Sequence, residues 1–478
     1  MSLSSALNNA ATGLTASSRL AQVTSNNVSN ALTDGYARRD LTLNASALGG
    51  VRIGDIARQV DLRIIADRRL ADSAVAQQQA QTQTLQRLEQ SFGALGAEDG
   101  IAGRLAAFEQ SLVTAGSDPS SSVRLNTVVS RLGELTAAVR SDAQALKEER
   151  EAADAAIAKD VQMLNETLAQ VEALNTDIAR MRNSGQDPSA LMDARRLAID
   201  EVAQIVPVRV IDRADDQVAL YSKSGIGLVD GSAATFAFSA TPTIVPAMSF
   251  ANGALSGVTL NGQPLSTSNG FGGLKGGSLE AQFTLRDQTL PQLQNQLDAF
   301  AVDFVARFED PATDPSLIPG SAGLLTDDGG PLDLADTTGL SARLAINAVV
   351  DPVQGGDTTA LRDGMNAATP AAVGDGGQID RFLQGLRTET TLLTGGVPRS
   401  AMGHAGDFVA TVGQARLSAE ERLSFASTRH EALLTAELAT GVDTDREMQT
   451  LLKIEQIYAA NARVLQTVDR MMQRLLEI

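Results

Sequence analysis

The chain has 478 residues, 43% hydrophobic but only 3% aromatic, with no Cys, no Trp and a formal net charge of −18. Lack of Cys excludes disulfides, thiolate metal sites and a cysteine nucleophile, and the acidic balance argues against nucleic acid, whose binding needs a basic surface. No apolar run approaches the roughly 18–20 residues of a membrane span, and no basic region with an apolar core opens the chain, so no membrane span and no cleavable secretion signal are expected.

Residues 3–31 read as one long helix. Leu3, Leu7, Ala10, Leu14, Ser17, Ala21, Thr24, Val28 and Ala31 alternate four and three residues apart. That spacing puts them on one stripe, the seam a coiled coil buries. Thr33-Asp34-Gly35 is a stop signal, and Tyr36 follows it. Asn26, Asn27 and Asn30 gather where the seam ends. Their side chains can bond backbone groups of a neighbour as well as their own, or they can mark an ordinary frayed helix end.

An extended stretch is expected over 41–60, and helical periodicity returns over 61–92. After a break at 93–100, a shorter helix near 101–114 stops at Gly116-Ser117-Asp118-Pro119. The longest helical region reaches about residue 183, with Leu146, Arg150, Ala153, Ile157, Val161, Leu164, Leu168, Val171, Asn175 and Ile178 in nearly the same four-three rhythm. A further helix over about 189–205 has Pro188 at its entrance.

At Pro207 the texture changes to short apolar runs separated by Gly, Asn, Asp and Pro, and Asn252-Gly253 and Asn261-Gly262 are hairpin-type turns. Residues 207–283 therefore read as a small inserted β domain. Helix is expected again over 287–308, an irregular segment with a few short strands over 309–376, and helices over 378–393 and 406–438. The terminal helix repeats the opening pattern: Leu451, Ile454, Tyr458, Asn461, Leu465, Val468, Met472 and Leu475 form its stripe. The expected fold is mainly α with an inserted β domain. Residues 1–50 and 441–478 form a terminal coiled coil, and 51–206 with 284–440 a helical bundle.

Residues 1–50 sum to +1 and residues 441–478 to −1, so the middle carries the negative charge. Neutral ends can crowd together, and an acidic middle suits a solvated outer layer. The expected assembly interface comprises Leu3, Leu7, Leu14, Asn26, Asn27, Val28, Asn30, Gly35 and Tyr36 at one end, with the C-terminal stripe at the other. Asn461, the one amide on that stripe, reads as a register-setting residue.

Catalytic chemistry has little to draw on. His404 and His430 are the only histidines and have no His or Cys nearby. Gly225-Ile226-Gly227 with Gly231 misses the dinucleotide spacing by one residue and reads as a hairpin. Asp327-Asp328-Gly329-Gly330 with Asp333 and Asp336 departs from the EF-hand spacing and reads as a solvated turn. No catalytic residue, cofactor or metal site is expected.

ALNNAATGLTASSRLAQVTSNNVSNALTDGYARRD, residues 6–40, resembles the N-terminal motif shared by flagellar rod, hook and hook-associated proteins. EMQTLLKIEQIYAANARVLQTVDRMMQRLL, residues 447–476, resembles their C-terminal motif. Residues 191–208 and 276–300 are similar to interior segments of the hook-associated branch. The turn usually written Thr-Pro-Gly-Tyr is Thr33-Asp34-Gly35-Tyr36 here, and the β insertion is short. The resemblance implies a non-enzymatic structural protein of the flagellum, exported by the flagellar type III pathway and ending up outside the cell. It implies a ring of copies of itself joining hook to filament, with hook protein, a second hook–filament junction protein and an export chaperone as partners. Another flagellar axial protein of hook or rod type, a soluble coiled-coil binding module and a secreted enzyme are the alternatives. The enzyme would need a polar constellation, and none is visible in the sequence.

Overall fold

The computed structural model describes residues 3–47, 49–93, 96–266, 268–392 and 396–476. Helix α1 (Leu3–Ser29) ends slightly before the expected 31, because Asn30 leaves the helix in a turn and Gly35 takes a φ of 73°. The stretch 41–60 does not run straight. It folds into an antiparallel hairpin, β1 (Arg38–Ala45) and β2 (Val51–Gln59), with Arg38 opposite Gln59 and a register shift between Leu41 and Leu43. The hairpin lies along α1, where Val51 N–H donates to Thr12 Oγ1 at 3.3 Å.

The helical middle begins with α2 (Leu62–Phe92), whose first turn is capped by Asp61. There follow α3 (Ile101–Gly116), α4 (Ser122–Asn183) and α5 (Ser189–Ile205). At 62 residues α4 is about 93 Å long. A helix of that length outruns any one core, and α4 crosses two.

The β region is two small antiparallel sheets. One contains β3 (Val208–Asp212), β4 (Val218–Ser222), β5 (Gly227–Asp230) and β6 (Ser232–Ala233) in that order. The other contains β7 (Phe236–Ala237), β8 (Thr259–Leu260) and β9 (Gln263–Pro264). Helix α6 (Gly277–Thr284) then starts ten residues before the expected 287 and continues through a π turn, Leu285–Thr289, into α7 (Leu290–Glu309). The early start has a local cause. Glu280 reaches back to accept from Gly276 N–H at 2.5 Å, an N-terminal cap hidden among glycines.

Beyond α7 come β10 (Leu325–Asp327), α8 (Leu340–Arg343), β11 (Leu344–Ile346) and α9 (Ala360–Asp363) within a largely irregular segment. Helix α10 (Gly377–Arg387) stops short of the expected 393. Helix α11 (Ala401–Leu438) starts before the expected 406 because Ser400 caps it. Helix α12 (Thr444–Leu476) closes the described chain.

Two apolar cores run along α4. The first joins α2, α3, α4 up to Ala153, α7, α10, α11 and the 324–365 segment. Its few aromatics cluster: Phe300, Phe304 and Phe308 line up on α7, and Phe308 meets Phe382 edge-on at 5.7 Å. The second joins α4 from Ile157, α5, the β strands and α6. The strands of 207–283 thus pack on α4 and α5 and share their core. Between the two cores Arg286, fully buried, donates to Asp154 at 2.6 Å and lies over the Phe283 ring at 4.8 Å. Nearby Arg150 donates to the carbonyls of Arg286 and Met248.

Candidate assembly interface

Helices α1 and α12 pack on each other. A Cβ on Gly13 would meet Asn461 Nδ2 at 2.7 Å, and Asn27 Nδ2 donates to Glu447 Oε2 at 3.2 Å. Moving forward along α1 is thus moving backward along α12, so the pair is antiparallel. Small residues on α1 allow this approach: Ala10, Ala16 and Ser17 are buried, and Gly13 leaves the space that Asn461 fills. On α12 Ile454 and Val468 are buried, while Leu451, Asn461 and Leu465 are half-buried. On α1 Leu3, Leu14 and Val28 are half-buried.

Three stripe residues differ from the expectation of burial. Leu7 is 36% exposed, Tyr458 49% and Met472 45%. The side chain of Leu475 lies outside the described residues. Two helices cover only one face each, and α12 is left with exposed apolar side chains on both flanks of its seam, Ile457, Val464 and Met471 on one and Met448 and Leu452 on the other. A helix apolar on two sides needs more neighbours than one chain supplies.

The asparagine cluster separates into different roles. Asn27 is 1% exposed and sits at the centre of a network. Its Oδ1 accepts from Tyr36 Oη at 2.9 Å and from Arg39 N–H at 3.0 Å, while its Nδ2 donates to Arg39 O at 2.9 Å. Asn26 is exposed, and Asn30 turns back to donate to Asn26 O at 2.8 Å. Glu447, also 1% exposed, accepts from Arg38 Nε at 2.6 Å. Burial lowers the Arg38 pKa, but its hydrogen bonds to Glu447 and Asp40 outweigh that and leave it raised. Burial pushes the Tyr36 hydroxyl up, against the opposing effect of the Arg39 guanidinium 4.8 Å from its ring. The phenol therefore keeps its proton and donates.

Gly35 is required by its backbone. With φ at 73°, an added Cβ would also meet Leu197 Cγ of α5 at 2.7 Å. The base of the hairpin is tied to α5 as well: Arg39 and Arg58 both reach Asp193, at 3.1 and 2.5 Å. A second ionic node fastens the last turn of α11 to α2 and α5. Arg68 meets Asp72, Asp200 and Glu437 at 2.5, 2.6 and 2.5 Å, and Arg196 also pairs with Glu437. His430 faces Asp72 at 2.6 Å. Burial raises the Asp72 carboxyl and lowers Arg69, with the opposite charges beside each pulling the other way.

The sequence reading included Asn27, Gly35 and Tyr36 but missed the Asn27 partners Arg39 and Glu447, the Arg38 that pairs with Glu447, the Asp193 that anchors Arg39 and Arg58, and the Arg68 node. Only Glu447 carried a usable signal, since it lies one turn into a helix that Asp443 caps through Asp445 and Arg446 N–H. The remaining residues weighed for chemistry take structural roles. His404 bonds Thr390 O at 2.9 Å, Asp327 grips Arg343 at 2.7 and 3.0 Å, and Gly225 lies in the turn between β4 and β5.

Residues 85–314 match the family described as "Flagellar hook-associated protein FlgK helical domain", and residues 438–478 match "Flagellar basal body rod FlgEFG protein C-terminal". The chain is 24% identical to flagellar hook-associated protein 1 of Escherichia coli strain K12, over 64% of this chain and 56% of that protein. The Salmonella typhimurium relative of the same name is 26% identical, again over 64% and 56%. The chain thus spans just over half the length of these two relatives, whereas the Bacillus subtilis protein of that name matches at 23% over 98% of this chain and 97% of its own length. A solved structure titled as the flagellar hook junction protein FlgK from Burkholderia pseudomallei aligns with a TM-score of 0.45 at 21% identity, over 55% of this chain and 46% of that one. The helical middle is thus similar to that of flagellar hook-associated proteins, and the terminal helix to that of flagellar rod proteins.

Proposed function

We propose that the chain is a structural joint of the bacterial flagellum, a ring of identical subunits between hook and filament that the filament needs in order to assemble. The observation that carries this reading is the antiparallel pair α1 and α12. It holds both ends of the chain together through Asn27, Glu447 and Asn461, yet leaves Tyr458, Met472 and their apolar neighbours uncovered. Copies packed side by side would bury those side chains and make a tube of the paired helices. The stripe residues Leu3, Leu7, Leu14, Val28, Leu451, Ile454, Leu465, Val468 and Leu475 then hold the pair and its neighbours in register. The Asp193 and Arg68 nodes would transmit load from the tube into the helical middle.

On this reading the protein is not an enzyme. It is exported by the flagellar type III route with an export chaperone, lies outside the cell, and contacts hook protein on one side and the second junction protein on the other. Deleting the gene and viewing the cells by electron microscopy tests it. Hooks should remain, filaments should be missing, and flagellin should appear in the medium. Filaments of normal length on the deletion strain would overturn the reading.

A further inference from the structure

The turn after α1 carries a side chain with nothing around it. Leu32 is 99% exposed, and Asp34 beside it is exposed and enters no hydrogen bond or ion pair among the described residues. A leucine left wholly in water in an otherwise ordered turn is apolar surface that a partner could bury. On the other side of α5 a cleft of about 560 Å³ opens between β2, the start of α2, α5 and β3. That volume falls in the range of specific binding sites, roughly 300–1,000 Å³. Its lining mixes the apolar Ile65, Met192 and Ile199 with six arginines, Arg182 and Arg213 among them, against the three aspartates Asp55, Asp212 and Asp216, so the cleft is net basic. Both of these arginines are nearly half exposed, and each already pairs with an aspartate: Arg182 meets Asp216 at 3.2 Å, and Arg213 meets both oxygens of Asp230 at 3.1 Å.

We propose that this cleft receives the Leu32–Asp34 turn of a second copy of the chain, with Leu32 against Ile65, Met192 and Ile199 and the Asp34 carboxylate joining Arg182 and Arg213. The turn presents an apolar side chain next to an unpaired negative charge, and the cleft presents the complement of each. The chain cannot fill its own cleft with this turn. Gly35 holds the turn against Leu197, while the cleft faces Ile199. Two residues apart on a helix, those positions point to nearly opposite sides. Knob and cleft on opposite faces make a head-to-tail contact, which repeats until a ring closes or a helix grows. The contact rests on the self-assembly reading above and supplies it with a direction.

The chain has no cysteine, so disulfide mapping is clean. Leu32→Cys and Val210→Cys, the latter on the cleft-side edge strand, are placed in separate full-length chains. They are expressed singly and together in cells lacking the native gene, and surface flagella are oxidised. A disulfide-linked dimer should form only in the mixed cells. Its absence there, with filaments intact, overturns the docking and leaves the junction reading standing. A dimer in either single-variant culture overturns it too, because it would indicate a two-fold contact. Asp34→Arg should lower the mixed yield by about tenfold, since like charges then face each other, and adding Arg182→Asp should restore it. If the cysteine variants lose filaments, filament retention in that charge-exchanged pair decides: restoration supports the docking and continued loss overturns it. The junction reading itself fails only through the deletion strain.

Discussion

Asp142 offers a stability test that reaches the centre of the first core. It lies on α4, 3% exposed, next to Val139, Ala143 and Leu146, and its Oδ2 has no partner among the described residues. Burial pushes its carboxyl from an ordinary 3.8 up to about 8. Since the folded chain holds a proton that the unfolded chain releases, its contribution to stability is full below about pH 4 and drains away as pH rises to about 8. At about 1.4 kcal/mol per pKa unit the ceiling on this loss is about 5–6 kcal/mol, and relaxation and water entry bring the measured value toward half of that. Asp142→Asn keeps the shape and removes the titration. Urea unfolding followed by far-UV circular dichroism, for both proteins between about pH 5 and pH 9, isolates the effect as a difference. The variant should gain on the native chain steadily up to about pH 8 and hold its lead above it. A difference that stays flat across that range would refute the reasoning, because it would mean Asp142 ionises inside the fold at no cost.

Other outcomes follow from the interface. Glu447→Ala takes an acceptor from buried Asn27 and from part-buried Arg38, which keeps Asp40, and should destabilise the paired ends by about 1–3 kcal/mol, read as faster amide exchange in the first turns of α12; unchanged exchange would dismiss the network as incidental. Gly35→Ala combines a left-handed backbone with a clash against Leu197 and should cost about 1–3 kcal/mol, with Leu197→Ala recovering only the clash part in thermal melts. Leu465→Asp sets a charge in the half-buried helix pair at a cost on the order of several kcal/mol, so the protein should be exported but retain no filaments, and wild-type filaments would contradict it. In the isolated full chain trypsin should cut first at Arg19, Lys453 or Arg463 and spare the helical middle, because one covered face holds a helix weakly; ends as resistant as the middle would mean a single chain satisfies them.

Helices were the most legible part of the chain because their evidence is local. The four-three rhythm from Leu146 to Ile178 describes α4, and Asp61 and Pro188 mark the entrances of α2 and α5 where the structure has them. The edges that slipped were set by single side chains acting out of sequence view. Glu280 capping Gly276 starts α6 early, and Ser400 does the same for α11. The stripes on α1 and α12 were readable as apolar, but periodicity says which side chains share a face and not what lies opposite. Tyr458 and Met472 lie on the stripe and still face solvent.

What the sequence by itself determined about this protein is where helices run, which of their faces are apolar, that the ends are near neutral and that the middle is acidic. These follow from spacing and composition, which every residue carries with it. Only the tertiary structure decided how charges are matched. Arg38 finds Glu447, Arg39 and Arg58 converge on Asp193, and Arg68 gathers Asp72 from its own helix with Asp200 and Glu437 from two others. A charge tolerates burial only beside its counter-charge, and that neighbour is chosen by the path of the backbone in space, so its number in the chain bears no fixed relation to its partner's.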